Sequence, residues 1–88
     1  MTWTIEFEQG AAREFRKLDP GVQRRIRDYL CERVIAGEGP RRHGKALRGG
    51  LSGLWRYRVG DYRVVCDIRD GELLVLVVRV AHRRAVYD

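Results

Sequence analysis

Two tight-turn signals in the last third of the chain constrain the fold more than any other feature. Leu54-Trp55-Arg56-Tyr57-Arg58-Val59 alternates between core-type and charged residues, with the period of two expected of a half-buried strand. Gly60-Asp61 follows, and glycine in the first central position suits a type II′ hairpin turn. The chain then returns as Tyr62-Arg63-Val64-Val65-Cys66-Asp67-Ile68. A two-residue loop sets Val59 opposite Tyr62 and Arg58 opposite Arg63. Trp55, Tyr57, Val59, Tyr62, Val64, Cys66 and Ile68 then share the core face, and Arg56, Arg58 and Arg63 stand together on the other. Asp70-Gly71 is a good type I′ pair and predicts a third strand from Leu73 to Val80. The nearly unbroken apolar run of that strand marks it as central, covered on both faces. It carries Arg79, Ala81, His82, Arg83, Arg84 and Tyr87 to one end of the sheet.

The beginning of the chain supplies the rest of one domain spanning residues 1–88. Thr2 to Phe7 alternates, with Trp3, Ile5 and Phe7 on the buried face. Helical spacing follows at once, so this strand must join the sheet at long range, beside the apolar central strand. Ala11, Ala12, Phe15 and Leu18 recur as on a short helix from Gln9 or Gly10 to Leu18. Asp19-Pro20 starts a second helix, on which Val22, Ile26, Tyr29, Leu30 and Val34 form one stripe ending before Gly37. The expected class is α+β in the order β-α-α-β-β-β, a helical hairpin packed on one face of a four-stranded, mostly antiparallel sheet. Between helices and sheet lies a basic loop, Gly37 to Gly53, with six glycines. Leu47 could dock it on the core, holding Lys45 and Arg48 at the edge of the basic face. His43 lies in the same loop and reads as an exposed histidine among arginines.

Charge divides the chain. Residues 1–40 contain seven Lys/Arg and seven Asp/Glu, so the formal net charge of +6 sits entirely in the loop and sheet. The helices interleave both signs, as an ordinary solvated face does. The later excess is the footprint of a polyanion-binding surface, without choosing between RNA, DNA and an acidic protein. No apolar run approaches the ~20 residues of a membrane span, and the opening residues lack the basic start of a secretory signal. A cytoplasmic protein with Cys31 and Cys66 as reduced core residues is expected. There is no phosphate-binding glycine loop before a helix and no zinc-ligand spacing among Cys31, Cys66, His43 and His82. No cofactor or metal is expected.

Arginines placed side by side on a strand pair destabilise the sheet by like-charge repulsion, so an anion pocket competes with the reading of a plain solvated face. RNA brings its own nucleophile: the 2′-OH attacks the adjacent phosphorus and expels the 5′-oxygen. A protein need then supply only orientation, charge stabilisation and proton transfer. Guanidinium forks suit the first two tasks, and Arg41, Arg42, Lys45, Arg48, Arg79 and Arg84 are expected to bind RNA around them. Arginine is a poor base, with a pKa above about 12. That leaves His82 and Tyr87 as candidates for proton transfer, Tyr87 being equally suited to stacking on a base.

Several segments together resemble the RelE/ParE superfamily of bacterial and archaeal toxins, in particular its RelE-like branch. They are Lys-x-Leu-Arg-Gly and its neighbours at Lys45 to Gly49, Trp-Arg-x-Arg at Trp55 to Arg58, Asp-Tyr-Arg-Val-Val at Asp61 to Val65, and His-Arg-Arg-x-Val-Tyr at His82 to Tyr87. The resemblance implies a ribosome-dependent endoribonuclease that cleaves mRNA in the ribosomal A site, leaving a 2′,3′-cyclic phosphate, and a small cognate antitoxin that blocks the basic site. It carries the catalytic roles onto Arg56, Arg58, Arg63, Arg83 and Tyr87, and it places Lys45 and Arg48 on ribosomal RNA. His82 matches a position held by histidine or another basic residue. The best-studied pattern has lysines in place of Arg56 and Arg58, one of them resembling a general base, which shifts that role here toward His82 or Tyr87. A ParE-like toxin that poisons DNA gyrase without cutting RNA is the alternative within the same fold.

Overall fold

A computed structural model describes residues 2–51 and 53–85. The elements, in chain order, are β1 (Thr4–Phe7), α1 (Gln9–Arg16), α2 (Pro20–Tyr29), β2 (Lys45–Ala46), β3 (Trp55–Val59), β4 (Tyr62–Arg69) and β5 (Leu74–His82). Past Tyr29 the second helix widens into π-type turns over Leu30–Ile35. The sheet has the order β1-β5-β4-β3-β2. Only β1 runs parallel to its neighbour, with Thr4 opposite Leu74 and Phe7 opposite Val77. The expected central place of β5 and the long-range docking of β1 are therefore both present. The sheet gains a fifth strand because Lys45 and Ala46 pair with Arg56 and Trp55, a two-residue pairing too short to leave an alternating signature.

The β3–β4 hairpin forms in the expected register, Val59 opposite Tyr62 and Arg58 opposite Arg63, with Gly60 at φ 59° in the turn. The next turn differs. Asp70–Glu72 winds into a short 3-10 segment and the left-handed residue is Leu73, at φ 50°, which delays β5 by one position. Asp19 makes no side-chain cap; its carbonyl accepts the Gln23 backbone N–H at 2.9 Å, while Pro20 occupies the first turn as expected.

Both helices cover one face of the sheet. Ala11, Ile26, Leu30 and Val34 meet Tyr57, Val59, Val64, Cys66, Val75, Val77 and Val80, with Trp3, Ile5, Phe7 and Phe15 closing the margin. A bulge explains how β5 serves both faces: Val65 pairs with Arg79 but Cys66 pairs with Val77, leaving Val78 as the extra residue. Such an insertion resets the alternation, so that Val77 and Val80, three apart, both enter the helix-side core. Val78 instead joins Leu47, Val65, Leu54 and Ala81 in a small apolar cluster distinct from that core. Leu47 is thus the docking residue the loop was expected to have. Its backbone N–H donates to the Leu54 carbonyl at 3.0 Å, and it anchors away from the helices. Cys66 is buried as expected, but Cys31 is exposed and not in the core, because it lies off the buried stripe that Leu30 and Val34 form in the π-type segment; both are free thiols. Among the described residues no helix is long and apolar enough to cross a membrane.

Candidate functional site

Strand pairing sorts the cations into two cross-strand rows. In the first, Lys45 lies opposite Arg56, which lies opposite Val65, which lies opposite Arg79. In the second, Arg58 lies opposite Arg63, and Arg63 opposite Ala81. The rows are two residues apart along β3, or about 7 Å at the usual rise per residue. Arg56 and Arg63 are 3% and 8% exposed, whereas Arg58 is open to solvent. The Arg63 guanidinium folds onto the hairpin turn, its Nη1 donating to the carbonyls of Gly60 at 3.1 Å and Tyr62 at 3.0 Å. Those bonds fix the arginine in place and spread its desolvation over charge-assisted contacts. This is a rigid platform able to grip phosphate oxygens.

The segment after β5 is tied to the same turn. The Arg83 backbone N–H donates to the Asp61 carbonyl at 2.7 Å, and its Nε lies 4.0 Å from the Asp61 carboxylate. Arg83 therefore joins Arg58 and Arg63 at one end of the sheet. His82 does not share their face. It pairs with Tyr62 and sets its ring edge-on to that tyrosine at 5.6 Å, and Tyr62 packs against the helix-side core. β5 runs straight through His82, so strand alternation turns the imidazole away from Arg63. Arg84 is exposed beside it, its backbone N–H 3.3 Å from the His82 Nδ1. Tyr87 lies outside the described residues.

The other expected RNA contacts are spread more widely. Arg41 forms a forked pair with Asp70, at 2.8 and 2.9 Å, pinning the basic loop to the β4–β5 turn. That bond holds the Asp70 carboxyl below its ordinary range and raises Arg41 further. Arg42 lies 3.4 Å from Glu38, and Arg79 lies 3.6 Å from Glu14 on α1. Lys45, in the first row, lies at the β2 edge of the sheet, and the exposed Arg48 follows just past β2.

The loop is clamped on β3 at three points. The Tyr57 hydroxyl donates to the Pro40 carbonyl, and the Trp55 Nε1–H donates to the His43 carbonyl at 2.7 Å. Gly44 has φ 81°, and a Cβ there would lie 2.3 Å from the Arg56 carbonyl oxygen, so only glycine fits. Burial pushes the Tyr57 hydroxyl well above its ordinary pKa, making it a donor and not a base. The clamp half-buries His43, contrary to the exposed position expected for it. Its ring stands edge-on to Tyr29 at 6.3 Å. A 220 Å³ cavity is lined by Tyr29, His43, Gly44, Lys45, Arg56 and Arg58. Sequence reasoning missed His43 because the signal that places it, a left-handed glycine against a strand backbone, becomes readable only once the loop is seen against β3. Among the described residues no group of three or more His, Cys, Asp or Glu could hold a metal ion.

The helical hairpin on a sheet whose far face carries these cations defines a small α+β domain with a basic sheet face. A model of the ParE toxin of the type II toxin-antitoxin system parDE matches residues 5–87. Toxin RelG of Mycobacterium tuberculosis is 32% identical over 87 residues, which cover 99% of this chain and 98% of that protein. Toxin RelE of the same organism is 36% identical over 77 residues, 88% and 77% of the two chains. A chain in the crystal structure of the toxin-antitoxin complex RelBE2 from M. tuberculosis superposes with a TM-score of 0.79 at 31% identity, covering 94% of this chain and all of that one. The chain belongs to the ParE toxin family of type II toxin-antitoxin systems, within the RelE/ParE superfamily.

Proposed function

We propose that this toxin is a ribosome-dependent endoribonuclease, acting in the cytoplasm on mRNA in the ribosomal A site. The observation that carries the reading is the pair of adjacent rows holding Lys45, Arg56, Arg58 and Arg63 on one rigid strand platform. Arg56 and Arg58 grip the phosphates flanking the cut, and Arg63 and Arg83 stabilise charge building on the phosphorus as the 2′-oxygen attacks. Lys45 and Arg48, with help from Arg41, Arg42, Arg79 and Arg84, anchor the protein on ribosomal RNA through salt-sensitive phosphate contacts. Tyr87 stacks on or orients the substrate. The products are a 2′,3′-cyclic phosphate and a 5′-hydroxyl. A cognate antitoxin pairs with the toxin, a partnership supported by the solved toxin-antitoxin complex of a similar toxin; on this reading it is partly helical and acidic, complementing the cation face it covers.

A second reading, gyrase inhibition without RNA cleavage, is favoured by one observation: the matching family model is that of a ParE toxin. The two separate in one experiment. Purified toxin is added to ribosomes carrying a defined mRNA and, in parallel, to a gyrase supercoiling reaction. New mRNA ends with unimpaired supercoiling support the ribonuclease; intact mRNA with blocked supercoiling overturns it.

A further inference from the structure

Resting on the RNA-cleavage reading, we propose that His43, and not His82, takes the proton from the attacking 2′-OH, in the cavity it shares with Lys45, Arg56 and Arg58. The cavity brings together what that step needs. Arg56 and Arg58 come from β3, Lys45 from β2, Tyr29 from α2, and His43 from the clamped loop. Among the described residues that line it none is a carboxylate, so these side chains offer a phosphodiester cations and neutral donors.

The lining residues also differ in fitness as a base. Guanidinium and ammonium groups are ordinarily protonated near neutral pH, which makes arginine and lysine side chains poor bases. Burial raises the Tyr29 hydroxyl, with Arg33 opposing it in part. The neighbouring Tyr57 is raised by burial as well and already donates to Pro40. Imidazole is the group that ordinarily exchanges a proton near neutrality, and here it belongs to His43.

Position and rigidity point the same way. The His43 carbonyl is held by Trp55 at 2.7 Å, Gly44 is wedged against the Arg56 backbone, and Tyr29 buttresses the ring. These contacts hold the residue two positions before Lys45, which itself pairs with Arg56. His82, on β5 opposite Tyr62, is not among the residues lining this cavity.

In the step, neutral His43 accepts the 2′-OH proton as the oxygen lone pair forms the new O–P bond. The P–O5′ bond breaks with its electron pair passing to the 5′-oxygen, which takes a proton from water. The imidazolium then gives its proton to the hydroxide left behind. A cyclic phosphate and a 5′-OH result.

The test is single-turnover cleavage on programmed ribosomes at saturating toxin, from about pH 5.5 to 8.5, for the wild type, His43→Gln and His82→Gln. General-base loss typically costs 10²–10⁴-fold. We expect His43→Gln to lose on the order of 10²-fold or more and to flatten the rise of rate with pH. Ribosome association and the thermal midpoint should hold. His82→Gln should keep the pH profile. Should His43→Gln lose stability, His43→Ala with imidazole added to the reaction takes its place, and recovery of rate supports the assignment. A His43→Gln protein that keeps its rate and profile, or a His43→Ala protein that imidazole does not restore, overturns it. Wild-type protein that leaves the mRNA intact overturns the RNA-cleavage reading itself, a different result from an active His43→Gln.

Discussion

The two faces of the sheet solve opposite problems. The helix-covered face is almost wholly apolar: Tyr57, Val64, Cys66, Val75, Val77 and Val80 are sealed under Ile26, Leu30 and Val34. The far face carries a small apolar cluster, Leu47 with Val65, Leu54, Val78 and Ala81, and sets Arg56 and Arg63 nearly out of solvent beside it. Burying a charge is costly even when its bonds are made, and like charges across a strand pair repel. A fold with only stability to satisfy would carry valine or threonine there. The contrast teaches that apolar packing is concentrated on the helix side while the far side buries cations, a division that the proposed phosphate-binding role accounts for.

The largest effect that sharpens this contrast is on the helix side. Ile26 is fully enclosed, and Ile26→Ala should cost about 2–5 kcal/mol through lost transfer energy and the cavity left behind. Urea unfolding would measure it, and a loss below about 1 kcal/mol would mean that the helices contribute less than this comparison assigns them. On the far side the pattern should invert. Arg63→Ala should lower the single-turnover cleavage rate by roughly 10²-fold while ribosome affinity changes little. A loss confined to affinity would assign Arg63 to anchoring.

How much of this was legible differs between the same two regions. The hairpin register was readable because glycine in the turn and period-two alternation act locally, and Arg58 does meet Arg63. The docking of β1 beside β5 followed from the apolar run of β5 and the absence of a tight turn after Phe7. The bulge at Val78, the short β2 and the clamp on His43 were not readable. Each depends on contact between segments distant in sequence: Val65 with Arg79, Lys45 with Arg56, Gly44 with the backbone of Arg56. The face that His82 takes depends on β5 continuing past Val80, where the expected strand ended, through His82. Its register opposite Tyr62 is a tertiary fact that alternation alone could not supply.

Smaller effects probe the rim of the cation face. Lys45→Ala and Arg48→Ala should each reduce the slope of log affinity against log salt by about 1, read from ribosome binding at several salt concentrations. An unchanged slope would remove them from the RNA contact. The smallest effect belongs to the solvent-exposed Arg41–Asp70 fork. Because Asp70 is held below its ordinary pKa in the folded protein, the pair's contribution is present above the usual aspartate range of about 4 and fades as pH falls through the lowered value. Asp70→Asn should therefore lower the thermal midpoint slightly at pH 7, less so at high salt, and hardly at all once the carboxylate is protonated. An equal shift at both pH values would point to a packing role.

The central claim is that the cation rows of the sheet act on a phosphodiester whose own 2′-oxygen is the nucleophile. The most direct measurement is the chemistry of the 3′ ends released from ribosome-bound mRNA, compared with mRNA carrying a single 2′-deoxy substitution at the cleaved nucleotide. The account predicts a 2′,3′-cyclic phosphate from the first and no cut at that nucleotide in the second. Cleavage of the deoxy-substituted position, or a 3′-hydroxyl at the new end, would contradict it.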